Sequence, residues 1–221
     1  MKTVIFDLDG TLADTSADLI HAANVCFARR GFEPLLDPVA DKLTAFYGAR
    51  AMLRLGFSRV EAVLGEEEVD RDYPLFLDVY AENIDRETQL YPGAEAAVEA
   101  LIEQGYRVGI CTNKPEGLAE TLITRLGVRG LFGSLVGAGT LPVRKPEAAP
   151  YIEAVERAGG VVARSVLVGD TETDVKTARA AGVPVVLVEF GPEGADIRRL
   201  SPDSLLPSYA QLPPVLKELI G

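Results

Sequence analysis

Lys2-Thr3-Val4-Ile5-Phe6-Asp7-Leu8-Asp9-Gly10-Thr11-Leu12 is the stretch whose reading decides the fold. Thr3 to Phe6 are uncharged and mostly β-branched or aromatic, the pattern of a strand buried on both faces of a parallel sheet. Such a strand should run into a core, yet it ends in two carboxylates, Asp7 and Asp9, one residue apart. Ionised carboxylates at the end of a buried strand are costly unless a cation or a set of donors compensates them. Two so close repel each other, and a divalent metal is the economical compensation. Gly10 lets the backbone turn sharply, and Thr11 adds a hydroxyl. A plain strand followed by an Asp-Gly turn is the simpler alternative.

Outward from this stretch the chain divides by rhythm. Thr15 to Asp18 fits a capping box opening a helix through Leu19, Ala22, Ala23, Cys26 and Phe27, stopped by Gly31. Further helices are expected from Asp41 to Gly56, interrupted at Tyr47-Gly48, and from Glu66 to Ile84. From Tyr91 onward helices and strands alternate. The expected order is a helix from Pro92, the strand Tyr106–Cys111 ending at Thr112-Asn113, and a helix from Pro115 to Gly127. A short strand at Leu135-Val136, a helix from Pro146, the strand Ser165–Val168, a helix to Gly182 and the strand Val183–Val188 follow. The residues from Asp196 read as loop plus one final short helix. The expected class is α/β: a Rossmann-like parallel sheet with helices on both faces, formed by residues 1–13 and 86–221, with a small helical domain inserted at 14–85.

Composition narrows the function. The 221 residues are 48% hydrophobic and 25% charged, ordinary for a globular protein. A net charge of −11 argues against nucleic-acid and membrane partners. Cys26 and Cys111 fall in a helix and a strand rather than a disulfide framework, and Asp7 interrupts any signal-like apolar start. A reduced, cytoplasmic protein is the expectation.

Ligands of open parallel sheets bind at the carboxyl ends of strands. Three such ends carry polar chemistry here: Asp7 with Asp9, Thr112 with Asn113, and Asp170 with Asp174, while Lys145 precedes a helix. Individually these could be a helix-entry turn, a surface lysine or an acidic first helical turn. Their conjunction suits metal-assisted phosphoryl transfer. Mg²⁺ takes hard oxygen ligands, a carboxylate can attack phosphorus, and a second carboxylate can protonate the leaving oxygen. A lysine offsets charge on the phosphoryl group. The single histidine, His21, sits in an expected helix, and no zinc-like Cys/His cluster or Gly-rich loop ending in Lys-Ser/Thr is present.

These residues resemble the haloacid dehalogenase superfamily, specifically its phosphatases. Asp7-Leu8-Asp9-Gly10-Thr11 resembles the first motif, Thr112 the second, Lys145 the third and Gly169-Asp170-Thr171-Glu172-Thr173-Asp174 the fourth. Cys111 to Pro115, Val143 to Pro146, and Glu172 to Pro184 resemble bacterial phosphoglycolate phosphatases in particular. The resemblance implies that Asp7 is the nucleophile and a Mg²⁺ ligand, and that Asp9 is the general acid/base with its backbone carbonyl on the metal. Asp170 would be the third ligand. Thr112, the Asn113 backbone and Lys145 would hold the phosphoryl group, Asp174 would orient Lys145, and Gly10 and Thr11 would form the turn over the site. The inserted helices resemble the family's cap, with hinges near Asp14 and Asp85.

The implied reaction is hydrolysis of a small phosphorylated metabolite, with 2-phosphoglycolate the best single guess. A sugar phosphate, nucleotide or pyrophosphate is the alternative substrate, and an inactive interaction protein the alternative class. Asp9 argues against dehalogenation, Leu19 against a mutase (whose relatives carry histidine there), and the lysine-free first cap helix against a phosphonatase. Glu147-Ala148-Ala149 departs from the usual Asp-Pro after Lys145-Pro146. Arg50, in a loop and helix resembling the family's substrate-facing segment, could pair with a substrate carboxylate or be a solvated arginine.

Overall fold

The computed structural model describes residues 1–61 and 64–221. The chain forms two compact units, one of Met1–Asp14 with Leu90–Gly221 and the other of Thr15–Gln89.

The first unit is built on β1 (Thr3–Phe6), all four residues buried. The chain leaves this unit after the two-residue β2 (Ala13–Asp14) and returns through β3 (Gln89–Leu90). The remaining strands are β4 (Arg107–Pro115), β5 (Ser134–Ala138), β6 (Ser165–Gly169), β7 (Val185–Val188) and β8 (Ser204–Leu206). The sheet order is β5-β4-β1-β6-β7-β8, and every adjacent pair is parallel. β1 is therefore central, with Phe6 registered beside Ile110 of β4 and Val168 of β6. All carboxyl ends point to one edge. Ile5, Cys111, Val136, Leu167, Val185 and Leu187 pack with Tyr151, Ala154 and Val155 in a continuous apolar core. That burial explains the unalternating apolar runs of these strands.

Several elements differ from the sequence reading. β4 does not end at Cys111 but continues to Pro115 through an irregularity: Cys111 pairs with Val136 and Pro115 with Ala138, so four steps on β4 match two on β5. The helix expected from Pro146 begins at Ala148, because Glu147 is held extended as its cap. The helix expected from Pro92 begins at Ala94, after Gly93 takes a left-handed φ of 81°. The stretch after Asp196 contains a sixth parallel strand, β8, whose three residues are too few to show any periodicity.

The helices of this unit are α5 (Ala94–Glu103), α6 (Glu116–Arg125), α7 (Ala148–Arg157), α8 (Glu172–Ala181) and α9 (Leu212–Ile220). The second unit contains α1 (Ser16–Arg29), α2 (Lys42–Ala45), α3 (Ala49–Phe57) and α4 (Glu66–Glu82). Phe27 and Phe57 meet edge-on at 5.5 Å, and Arg30 grips Asp72 through two hydrogen bonds of 2.6 and 2.8 Å. The capping box expected at Thr15 to Asp18 does not form: no side chain caps α1. Asp18 is buried and accepts instead from the backbone N–H groups of Glu87 and Thr88 and from the Thr88 hydroxyl, tying the end of this segment to α1. A tertiary partner with three donors outbids the local cap. Both cysteines are buried and free, and among the described residues no helix is long and apolar enough to cross a membrane.

Candidate active site

β1 delivers Asp7 to the carboxyl edge between β4 and β6, where its N–H donates to Val168 O at 2.9 Å. The chain then coils on itself. Leu12 and Ala13 donate to Leu8 O at 2.9 and 3.0 Å, and Gly10 supplies the positive φ of 84° that the coil requires. This turn fixes Thr11, whose hydroxyl donates to Asp170 Oδ1 at 2.7 Å. From the far end of the chain, Tyr209 donates its phenol to Thr11 O at 2.8 Å.

Asp7, Asp170 and Asp174 come together so closely that one carboxylate oxygen of each lies within 4.8 Å of the others. Lys145 is set among them, with Nζ 2.9 Å from Asp7 Oδ2 and 2.7 Å from Asp174 Oδ1. Asp174 is fully committed, because its other oxygen accepts from the N–H groups of Asp170 and Thr171 and from the Thr171 hydroxyl. Asp7 Oδ1 accepts from Leu8 N–H at 2.7 Å. Asp170 is different: its Oδ2 is buried and has no hydrogen-bond partner.

The electrostatics follow from this geometry. Burial pushes the Asp7 carboxyl up to about 6, although the Lys145 ammonium pulls the other way. Burial, with Asp174 and Asp7 adding repulsion, raises Asp170 well above the usual carboxylate range. Burial works against the Lys145 ammonium too, but Asp174 and Asp7 outweigh it and hold its pKa above the ordinary lysine value. One ammonium among three carboxylates leaves the cluster short of positive charge. A divalent cation fits this donor set of hard, buried oxygens, with the orphaned Asp170 Oδ2 as its clearest opening. Asp7 and Asp170 could contribute carboxylate oxygens and Asp9 its carbonyl.

The Asp9 side chain lies outside that cluster. Its Oδ1 pairs with Lys114 Nζ at 2.9 Å, and the Lys114 side chain is only 3% exposed. Lys114 falls within the Cys111–Pro115 resemblance but carries no sequence signal of its own, standing between the expected strand end at Thr112-Asn113 and the helix expected from Pro115. The irregular end of β4 puts it at the site. Gly137 permits that course: a Cβ there would lie 2.6 Å from Glu116 Cα and 2.8 Å from Lys114 O. A glycine inside a short apolar strand was the available signal. Thr112 is buried with its hydroxyl accepting from Lys114 N–H at 3.2 Å, and Asn113 donates through Nδ2 to Lys145 O at 3.0 Å. Lys145, the lysine expected to hold the phosphoryl group, is 2% exposed, which excludes the alternative of a surface lysine.

Arg50 belongs to the helical unit. Its guanidinium pairs with Asp70 and lies 4.5 Å from the centre of the Tyr73 ring, so its charge is already engaged there.

Comparison with known proteins agrees with the architecture. A protein from Agrobacterium fabrum (strain C58) named phosphoglycolate phosphatase is 38% identical over 216 residues, covering 97% of this chain and 91% of that protein. A protein of the same name from Mesorhizobium japonicum is 35% identical, covering 97% and 94%. Among solved structures, one from Haemophilus somnus 129pt, described as a predicted phosphoglycolate phosphatase, superimposes with a TM-score of 0.86 at 27% identity, covering 97% of each chain. Residues 4–188 match the model of the haloacid dehalogenase-like hydrolases. With that match spanning the buried carboxylates, the lysine between them and the central strands of the sheet, this chain belongs to the haloacid dehalogenase-like hydrolase family.

Proposed function

We propose that this chain is a Mg²⁺-dependent phosphatase that hydrolyses 2-phosphoglycolate to glycolate and phosphate. The observation that carries the reading is the buried cluster of Asp7, Lys145, Asp170 and Asp174 with one carboxylate oxygen left unpartnered. The names of the relatives at 35–38% identity support the substrate.

Asp7 acts as the nucleophile, displacing glycolate from phosphorus to form an aspartyl-phosphate, which water then hydrolyses. Lys145, oriented by Asp174, neutralises phosphoryl oxygens together with the Thr112 hydroxyl and the Asn113 backbone. Asp9 protonates the leaving oxygen and afterwards takes a proton from the attacking water. Gly10 and Thr11 keep Asp9 and Asp170 in place through the turn after β1. A Mg²⁺ ion held by Asp7, Asp170 and the Asp9 carbonyl would offset negative charge as the nucleophile approaches the phosphoryl group. The helical unit, residues 14–85 by sequence, serves as the cap.

Hydrolysis of p-nitrophenyl phosphate with and without Mg²⁺ tests the reaction class. A panel of phosphorylated metabolites ranked by kcat/KM tests the substrate, with 2-phosphoglycolate expected to lead. A sugar phosphate, nucleotide or pyrophosphate at the head of the ranking overturns the assignment.

A further inference from the structure

We infer that Lys114 is a specificity-determining residue that recognises a carboxylate on the leaving group of the substrate. The inference rests on the phosphatase reading above and asks which group distinguishes a glycolate ester from other phosphate esters.

Lys114 and Lys145 are the two buried lysines among the described residues, and they have different company. Lys145 lies between Asp7 and Asp174, on the side of the nucleophile. Lys114 lies against Asp9 at 2.9 Å, on the side of the general acid. To protonate a leaving oxygen, Asp9 must stand about 2.6–3.2 Å from it. The Lys114 ammonium, 2.9 Å from Asp9 Oδ1, is therefore within about 6 Å of that oxygen when Oδ1 donates and within about 8 Å when Oδ2 does. In 2-phosphoglycolate the carboxylate oxygens are three bonds from the same atom, so they enter the neighbourhood of Lys114 when Asp9 is in working position. An ammonium carries three donors, so beside its contact with Asp9 it can donate to a substrate carboxylate while the Asp9 carboxyl, protonated for this step, serves the leaving oxygen. The backbone supports this placement. The irregularity of β4 between Cys111 and Pro115 and the absence of a Cβ at Gly137 carry Lys114 to the edge, where a regular strand would have ended earlier.

Arg50, which the sequence reading leaves as either a carboxylate partner or a solvated arginine, pairs with Asp70 and lies over the Tyr73 ring within the helical unit. The core thus contains both cations the substrate needs: one for the phosphoryl group and one for the carboxylate.

The test compares 2-phosphoglycolate with its neutral isostere, glycolamide phosphate, in the wild-type protein and in Lys114→Met and Lys114→Gln, all loaded with Mg²⁺. Glutamine retains a donor for Asp9 without the charge, and melting curves establish that each variant folds. The wild type is expected to prefer the carboxylate. Both variants should lose about tenfold or more of that preference in kcat/KM, since a charge-assisted contact is replaced by a neutral one. Calorimetric binding of phosphonoacetate, which cannot turn over, should weaken in the same variants while methylphosphonate binding changes little. Equal loss on both esters would make Lys114 a support for Asp9 alone and overturn the inference. A wild type with no preference for the carboxylate would overturn the substrate reading itself, and the inference with it.

Discussion

Thr11 Oγ1 donates to Asp170 Oδ1 at 2.7 Å, joining residues 159 positions apart in the chain. The bond leaves the other oxygen of Asp170 facing no protein donor, in a cluster already crowded with carboxylates. A hydroxyl that orients a metal-binding carboxylate is expected to affect metal affinity before it affects chemistry. Thr11→Val should weaken Mg²⁺ binding by about tenfold, in the range seen when outer partners of metal ligands are removed. Titration calorimetry on the purified variant checks this, and unchanged affinity would make the bond purely structural.

Asp7→Asn should reduce turnover to background while leaving a folded protein, because the nucleophile is removed and a near-isosteric amide fills its place. Fluoride-based phosphoryl mimics should bind the wild type in the presence of Mg²⁺ and not the variant. Activity above background, with contamination excluded, would defeat the mechanism.

The raised pKa of Asp7 gives a pH dependence whose sign can be worked out. In the metal-free protein this carboxyl titrates at about 6 when folded and near 3.8 when unfolded. The folded state binds more protons across that window, so the stability linked to Asp7 is full below the lower value and is lost as pH rises through about 6. Asp170, shifted in the same direction, adds to the trend. Mg²⁺ needs the ionised carboxylates, so its stabilisation should grow over the same interval. The Mg²⁺-induced rise in melting temperature should be larger near pH 7.5 than near pH 5. Equal shifts at both would show that the cluster is not where the ion binds.

Lys145→Met should be strongly destabilising, since it strands Asp7 and Asp174 as buried charges without their shared ammonium. Removing one partner of a buried pair costs about 3–5 kcal/mol. Urea unfolding of the metal-free variant measures the loss, which should shrink on acidification as the carboxylates become neutral. A loss under about 1 kcal/mol would contradict the burial of the pair.

Arg50→Ala should leave the ratio of kcat/KM for 2-phosphoglycolate to that for glycolamide phosphate within about twofold of wild type, as its guanidinium is held by Asp70 and Tyr73. A selective fall on the carboxylate ester would return that contact to the helical unit.

The sequence by itself determined the parallel α/β architecture and most of the chemistry. Buried strands announce themselves by apolar runs, as at Thr3–Phe6 and Ser165–Gly169, and the acidic residues at their ends contradict burial so plainly that they mark the site. Those signals are local, and local pattern is what a sequence displays. Only the tertiary structure decided which partner each polar group took. Asp18 left a cap that its spacing allowed for the backbone at Glu87 and Thr88, because several converging donors outweigh one local bond. Lys114 reached Asp9 only through a strand irregularity that depends on the neighbouring β5, and Tyr209 met Thr11 from 198 positions away. Register, close approach and long-range hydrogen bonding are set by what packs beside a residue rather than by what precedes it, so no period in the sequence encodes them.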